Sequence, residues 1–194
     1  MSSVADNKQV LRRWAVEQYL ALRADDVRTL SERIVANLKR VEEFRQARRV
    51  MVCLSFGNEV NTWPLVEEIA GDPKRQVCVP RVERDGVMHA HPYPCRLRTL
   101  GMGLRQPSPG EPELPVDRVD SLINVAVILG LTFDRERGYR LGQGKGYFDR
   151  FLAGKTFPTI GLSFEALMVD RLRVEPHDVP LRMIVTEKRI YCSA

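Results

Sequence analysis

Residues 122–129 read Leu-Ile-Asn-Val-Ala-Val-Ile-Leu, the strongest strand signal in the chain. Apolar residues on nearly every position mean burial on both faces, as in a strand inside a parallel sheet. Downstream lies a glycine-rich loop opening a helix, then a strand over Thr159–Phe164 and a last strand around Met183–Thr186. Upstream, Val50–Phe56 is a second buried strand, broken by Gly57 and Asn58. Thr62–Ala70 follows as a helix with Pro64 in its first turn. Gln76–Val82 and Gly86–His91 read as further strands. The prolines at 94, 107, 109, 112 and 115 exclude long regular elements between 93 and 120. At the start, Asp6–Arg23 is rich in helix formers. Asp25 and Asp26 offer an N-cap for a second helix, whose Leu30, Ile34, Leu38 and Val41 form an apolar stripe. Strands alternating with helices predict an α/β fold with helices on both faces of a mainly parallel sheet.

The chain has 194 residues, 44% hydrophobic and 28% charged, which excludes disordered and collagen-like classes. That length suits one core, so residues 1–194 are expected to form a single domain. No apolar run approaches the roughly 18 residues of a membrane helix. Charges fall where a secretory signal would carry its apolar stretch, so the expectation is a soluble, cytoplasmic protein. Four cysteines are too dispersed for a CxxC pair. Cys53 and Cys78 lie in apolar runs, where cysteine acts as a small hydrophobe. His89 and His91, in His-Ala-His-Pro-Tyr-Pro, have no acidic or thiol neighbour in sequence and are expected on an exposed loop or strand edge. The net charge is +5. Residues 1–50 hold eleven basic and seven acidic side chains, a surplus of four. Such a surplus suits an anionic small molecule, a nucleic acid or a solvated helix face.

The chemistry concentrates in Arg140-Leu141-Gly142-Gln143-Gly144-Lys145-Gly146-Tyr147-Phe148-Asp149-Arg150. Alternating glycines let a backbone turn tightly and bring N–H groups to an anion. Arg140 and Lys145 add positive charge, and Asp149 can hold Mg²⁺ beside nucleotide phosphates. The pattern is neither GxxxxGK[ST] nor GxGxxG. Lys8 and Arg12 share a helix face one turn apart and can clamp a phosphate or stand in solvent. Asp178, in Glu175-Pro176-His177-Asp178, is either a second metal carboxylate or a turn cap.

Taken in order, these residues resemble the 5-formyltetrahydrofolate cyclo-ligases over Lys8 to about Ile190. The resemblance rests on Lys8-x-x-Leu11-Arg12, Glu59-Val60-Asn61-Thr62, Gly101-Met102-Gly103-Leu104 with Pro107, Phe133-Asp134, Arg140–Arg150, and His177-Asp178 with Thr186-Glu187. It implies a doubly wound α/β fold and an ATP- and Mg²⁺-dependent conversion of 5-formyltetrahydrofolate to 5,10-methenyltetrahydrofolate. Lys8, Arg12 and the loop Arg140–Phe148 would hold ATP, that is Arg140, Leu141, Gly142, Gln143, Gly144, Lys145, Gly146, Tyr147 and Phe148. Leu54, Glu59, Gln143 and Tyr147 would face the folate, Asp149 and Asp178 would coordinate Mg²⁺, and Lys8, Arg140, Lys145 and Tyr147 would act catalytically. The partners implied are small-molecule substrates, with no nucleic acid and no membrane, and the protein is expected to be a monomer.

Departures from the family pattern are Asn61 for Asp, Gln106 for Glu, Phe148 for Tyr, Arg173 for Pro and Leu167 for Gln. The last would weaken a contact to the pterin or ATP. Three other readings stay open. A dinucleotide oxidoreductase needs its glycines directly after the first strand. A non-catalytic RNA-binding module needs an aromatic stacking platform. A paralogue would keep the nucleotide loop and take another substrate.

Overall fold

The computed structural model describes residues 7–83 and 85–193. Helix α1 spans Lys8–Ala21. Its expected start at Asp6 lies outside the described residues, and Asn7 caps it, accepting from the Gln9 and Val10 amides at 3.0 and 3.3 Å. Helix α2 spans Ala24–Leu38 and has no side-chain cap. Asp25 and Asp26 are inside its first turn, where they face the positive end of the helix dipole instead of capping it. Of its expected stripe, Ile34 and Leu38 are buried and Leu30 half-buried, while Val41 is buried beyond the end of the helix; Val27 joins the buried face. Helix α3 (Glu42–Gln46) leads into strand β1 (Arg49–Val52). Helix α4 (Trp63–Gly71) carries Pro64 in its first turn, and strand β2 follows over Gln76–Val82 as expected.

Strand β3 (Met88–Tyr93) begins later than expected and includes both histidines. It is a sheet edge, but His91 is only 3% exposed, because the segment around Pro112 covers it. A short hairpin follows, β4 (Leu97–Thr99) and β5 (Arg105–Pro107). Helix α5 (Val119–Leu122) takes the start of the decisive apolar run, leaving β6 as Val125–Ile128, buried at every position. A second hairpin joins β7 (Thr132–Phe133) to β8 (Arg140–Leu141). Helix α6 (Tyr147–Leu152), β9 (Thr159–Leu162), β10 (Met183–Val185) and β11 (Ile190–Cys192) complete the chain. Strand β11 escaped the sequence reading because an edge strand with no fully buried position has no apolar run.

The main sheet has seven strands in the order β11-β10-β9-β6-β1-β2-β3. Pairings from β10 across to β2 are parallel; β3 and β11 are antiparallel edges. The chain moves from β1 to β2 in one direction and from β6 to β9 and β10 in the other. Right-handed crossovers therefore deliver the connections to both faces, the doubly wound α/β arrangement. Met51, Ile128, Ile160 and Leu162 fill the buried layer, with Phe44, Phe133 and Phe164 packed against it. The winding direction reverses between β1 and β6. In such sheets the crevice beyond the carboxyl ends of the strands at the reversal is where ligands bind.

Candidate active site

A cavity of about 810 Å³ opens at that crevice. Cys53 and Leu54, just past β1, and Leu129 to Leu131, just past β6, form its floor. The turn after β1 is held by Thr62, which is fully buried. Its hydroxyl donates to the Cys53 carbonyl at 2.7 Å and accepts from the Ser55 amide at 3.0 Å. This clasp holds Leu54 and Glu59 in the cavity wall. Glu59 accepts from the Phe56 amide at 3.1 Å. Burial, only partly opposed by that amide, raises its carboxyl to about 7. Cys53 is likewise pushed up to about 12 by burial, so it is a thiol and not a nucleophile at neutral pH.

The glycine loop forms the opposite wall. Gly144 has φ +87° and Gly146 φ +65°, backbone that favours glycine. A Cβ on Gly144 would lie 3.1 Å from the Arg12 guanidinium carbon, so the missing side chain also makes room for that cation. Arg12 Nε donates to the Gly142 carbonyl at 2.9 Å and ties α1 to the loop. Leu141 packs with Leu11 and Leu172, so what it can offer a ligand is backbone. Arg140 is buried over the Phe148 ring at 4.9 Å, its Nη2 3.4 Å from Asp149 Oδ2. Burial lowers its proton affinity and Asp149 works against that. Arg150 lies over the Tyr147 ring at 5.4 Å and donates to the Lys145 and Gly86 carbonyls at 3.0 and 3.1 Å. It thus braces the loop from outside, a positioning role the sequence reading did not assign. Helix α6, which the loop opens, is six residues long, so the loop's own amides and side-chain cations supply most of the field.

Lys8 does not stand in solvent. Its Nζ lies 2.8 Å from Asp178 Oδ2 and 3.1 Å from Glu175 Oε2. Burial works against its charge, but these bonds outweigh it and Lys8 titrates above the ordinary lysine value. Burial raises Asp178, and its bonds to Lys8 and the Glu175 amide more than reverse that, so it titrates below the ordinary range. Glu175, His177 and Asp178 each offer a ligand atom within 4.8 Å of the others. Asp149 Oδ1 accepts from the Val179 amide at 3.3 Å, which brings it beside the same loop. Carboxylate oxygens are the hard donors Mg²⁺ takes, and Asp178 Oδ1, with the His177 Nε2 at 3.7 Å, makes no hydrogen bond among the described residues, so the donor set fits that ion.

Every site residue singled out from the sequence lines this one cavity. Leu167 does not. It is 2% exposed in the core, so the expected contact of position 167 with the pterin or ATP is absent. Arg173 is on the surface. Gln106 lines the cavity with its amide bound to both backbone groups of Val82. The sequence reading assigned no place in the cavity to the β4–β5 hairpin, whose Arg98, Met102 and Arg105 build a wall, and it missed Glu83. Its traces there were the Gly101–Leu104 tetrapeptide, Gln106 and Pro107, given for the resemblance alone.

Comparison with known proteins gives a consistent result. A model of the 5-formyltetrahydrofolate cyclo-ligase family matches residues 4–187. The 5-formyltetrahydrofolate cyclo-ligase of Escherichia coli K12 is 33% identical over 155 residues, covering 75% of this chain and 81% of that protein. Its Saccharomyces cerevisiae counterpart is 26% identical over 200 residues, covering 92% and 94%. The NMR structure of Aquifex aeolicus 5,10-methenyltetrahydrofolate synthetase superimposes with a TM-score of 0.79 at 28% identity, over 95% of this chain and 92% of that one.

Proposed function

The chain belongs to the 5-formyltetrahydrofolate cyclo-ligase family, and from that premise we propose that it converts 5-formyltetrahydrofolate and ATP into 5,10-methenyltetrahydrofolate, ADP and phosphate. The observation that carries this reading is that the cationic glycine loop and Glu59 line the same cavity. One wall suits a triphosphate and the other a polar heterocycle.

The chemical obstacle is that a formamide carbon is a poor electrophile with oxide as its leaving group. In the proposed route the formyl oxygen attacks the γ-phosphorus and ADP departs. Nitrogen 10 of the same folate then attacks the activated carbon, loses its proton, and phosphate leaves. Such a transfer needs positioning and charge neutralisation more than covalent help, which accords with a cavity that offers cations and backbone amides and a Cys53 held as the thiol. Lys145 and Arg140, with the loop amides, stabilise the charge on the transferring group. Lys8 and Arg12 hold the phosphates from the α1 side. Glu59 accepts from the pterin N–H edge, and those donors favour its ionised form on binding. Tyr147, braced by Arg150, and Leu54 bound the folate, with Gln143 at the loop edge. Asp149 and Asp178 are the residues that would hold Mg²⁺, and the ion would neutralise triphosphate charge. Holding both reacting nitrogens in one bound molecule makes the ring closure intramolecular.

The hydrophobic cluster that runs from Ala15 to Val185 supports reading the chain as one domain. Among the described residues no helix is long and apolar enough to cross a membrane. The test is to mix protein, Mg·ATP and 5-formyltetrahydrofolate and follow methenyl absorbance. Folded protein that gives no signal refutes the proposal.

A further inference from the structure

We propose that His89, His91 and Glu113 form a site for a divalent transition-metal ion, Zn²⁺ above all, which fastens the segment around Pro112 to the edge of the main sheet. The inference is independent of the cyclo-ligase reading, since none of the three residues lines the active-site cavity.

His89 and His91 are two positions apart on β3, so their side chains leave the same face of the strand. The acid missing from their local sequence is Glu113, which lies beyond the β4–β5 hairpin in the chain. The Leu114 amide donates to the Ala90 carbonyl at 2.8 Å and lays this segment along β3. One carboxylate oxygen, Glu113 Oε2, is 3.0 Å from His89 Nδ1 and 4.0 Å from His91 Nε2. Both nitrogens are buried, and neither has a hydrogen-bond partner among the described residues. The 3.0 Å contact is therefore too far off line for an N–H···O bond. Two buried ring nitrogens in that state cost free energy that a shared ligand recovers.

The other nitrogen of His91 sets its tautomer. Nδ1 lies 2.8 Å from the Pro112 carbonyl, which can only accept, so Nδ1 carries the proton and Nε2 of the neutral ring presents a lone pair. A backbone carbonyl behind the ring is the common support of a metal-bound imidazole. A metal ion takes its ligands at an angle to one another, so an oxygen off the Nδ1 axis suits an ion where it does not suit a proton. Two imidazoles and a carboxylate favour Zn²⁺ and its neighbours over Mg²⁺, and they leave a fourth position for water. The Glu113 side chain is 46% exposed, which lets it swing toward His91 and gives the ion a way in. Arg81, paired with His89 in the ladder, would repel a cation, but Glu83 neutralises it through contacts of 2.5 and 2.8 Å.

The test uses the full, untagged chain, stripped of metal by a chelator, with no nucleotide or folate. Zn²⁺ is titrated calorimetrically into the wild type, His89→Gln, Glu113→Gln and Asp178→Asn. The wild type and Asp178→Asn should both bind an ion that Mg²⁺ in about 100-fold excess does not displace. His89→Gln and Glu113→Gln should each raise its Kd at least ~100-fold, because losing a ligand costs more than losing the support behind one. Co²⁺ in place of Zn²⁺ should give visible absorption bands that these two variants lack. Both side chains reach the surface, 18% and 46% exposed, so the fold should survive, and if one variant does not fold the other carries the decision. No binding by the wild type, binding unchanged in His89→Gln and Glu113→Gln, or binding lost only in Asp178→Asn overturns the proposal. Hydrogen exchange at the Leu114 amide should slow when Zn²⁺ binds; an ion that binds without slowing it overturns the fastening role.

Discussion

Replacing Glu59 by Gln should make the protein more stable at alkaline pH while making it a poorer folate binder. Burial raises this carboxyl from 4.5 to about 7 in the folded chain. Between those values the native state holds a proton that the unfolded state has released. Stability therefore falls as pH rises through that window, the reverse of the usual salt-bridged carboxylate. A difference of about 2.5 pH units corresponds to about 3 kcal/mol at pH 8. Gln has the shape of the protonated acid and can still accept the Phe56 amide. Urea unfolding at fixed pH values from 4 to 8.5 should give matching curves for variant and wild type at the acid end. The gap should widen to about 3 kcal/mol in favour of Glu59→Gln above pH 8. The same substitution removes a charged acceptor for the pterin, so the KM for 5-formyltetrahydrofolate should rise by roughly 10- to 100-fold. A stability gap that stays constant with pH would refute the burial argument. Unchanged folate affinity would remove Glu59 from the pterin wall.

Other perturbations probe the remaining walls. Lys145→Ala and Asp149→Asn should each lower kcat at least ~100-fold, on the scale of a lost transition-state charge contact; near-normal turnover in both would exclude the loop from the chemistry. In Gly130→Ala the added Cβ would sit 2.6 Å from Arg140 Cγ and 3.1 Å from Phe133 Cζ. That overpacking should cost about 1–3 kcal/mol in a thermal melt and reduce kcat by displacing Arg140. Leu167→Gln restores the common family residue, but at a core position it should destabilise by about 1–3 kcal/mol and bring no gain in KM for ATP or folate.

The buried strands were legible because five parallel strands with cover on both faces leave long apolar runs such as Val50–Phe56 and Leu122–Leu129. Their ends were less so. Leu122 belongs to a helix and Cys53–Phe56 to the turn over the cavity, since an apolar residue serves equally in a strand, a buried turn or a packed helix end. The glycine loop was readable because alternating glycines with interspersed cations have a backbone and charge logic of their own. The covered state of His91, the pairing of Lys8 and the Arg98–Arg105 wall were not. Each depends on a segment distant in sequence: Pro112 for His91, Glu175 and Asp178 for Lys8, and the hairpin that turns Arg98 toward the crevice. Phe133-Asp134, quoted for resemblance alone, turns out to be architectural. Fully buried Asp134 accepts from the Arg137 guanidinium at 2.9 Å and the Leu172 amide at 3.2 Å, fastening the second hairpin to the C-terminal segment.

The link from Lys8 to Asp178 joins positions 170 residues apart. During synthesis Lys8 and Arg12 emerge long before the glycine loop, and the acids that restrain Lys8 come later still. Under the proposed function, a growing chain therefore cannot draw stability from nucleotide until residue 178 has left the ribosome. Ligand rescue of misfolding variants should act after translation rather than during it.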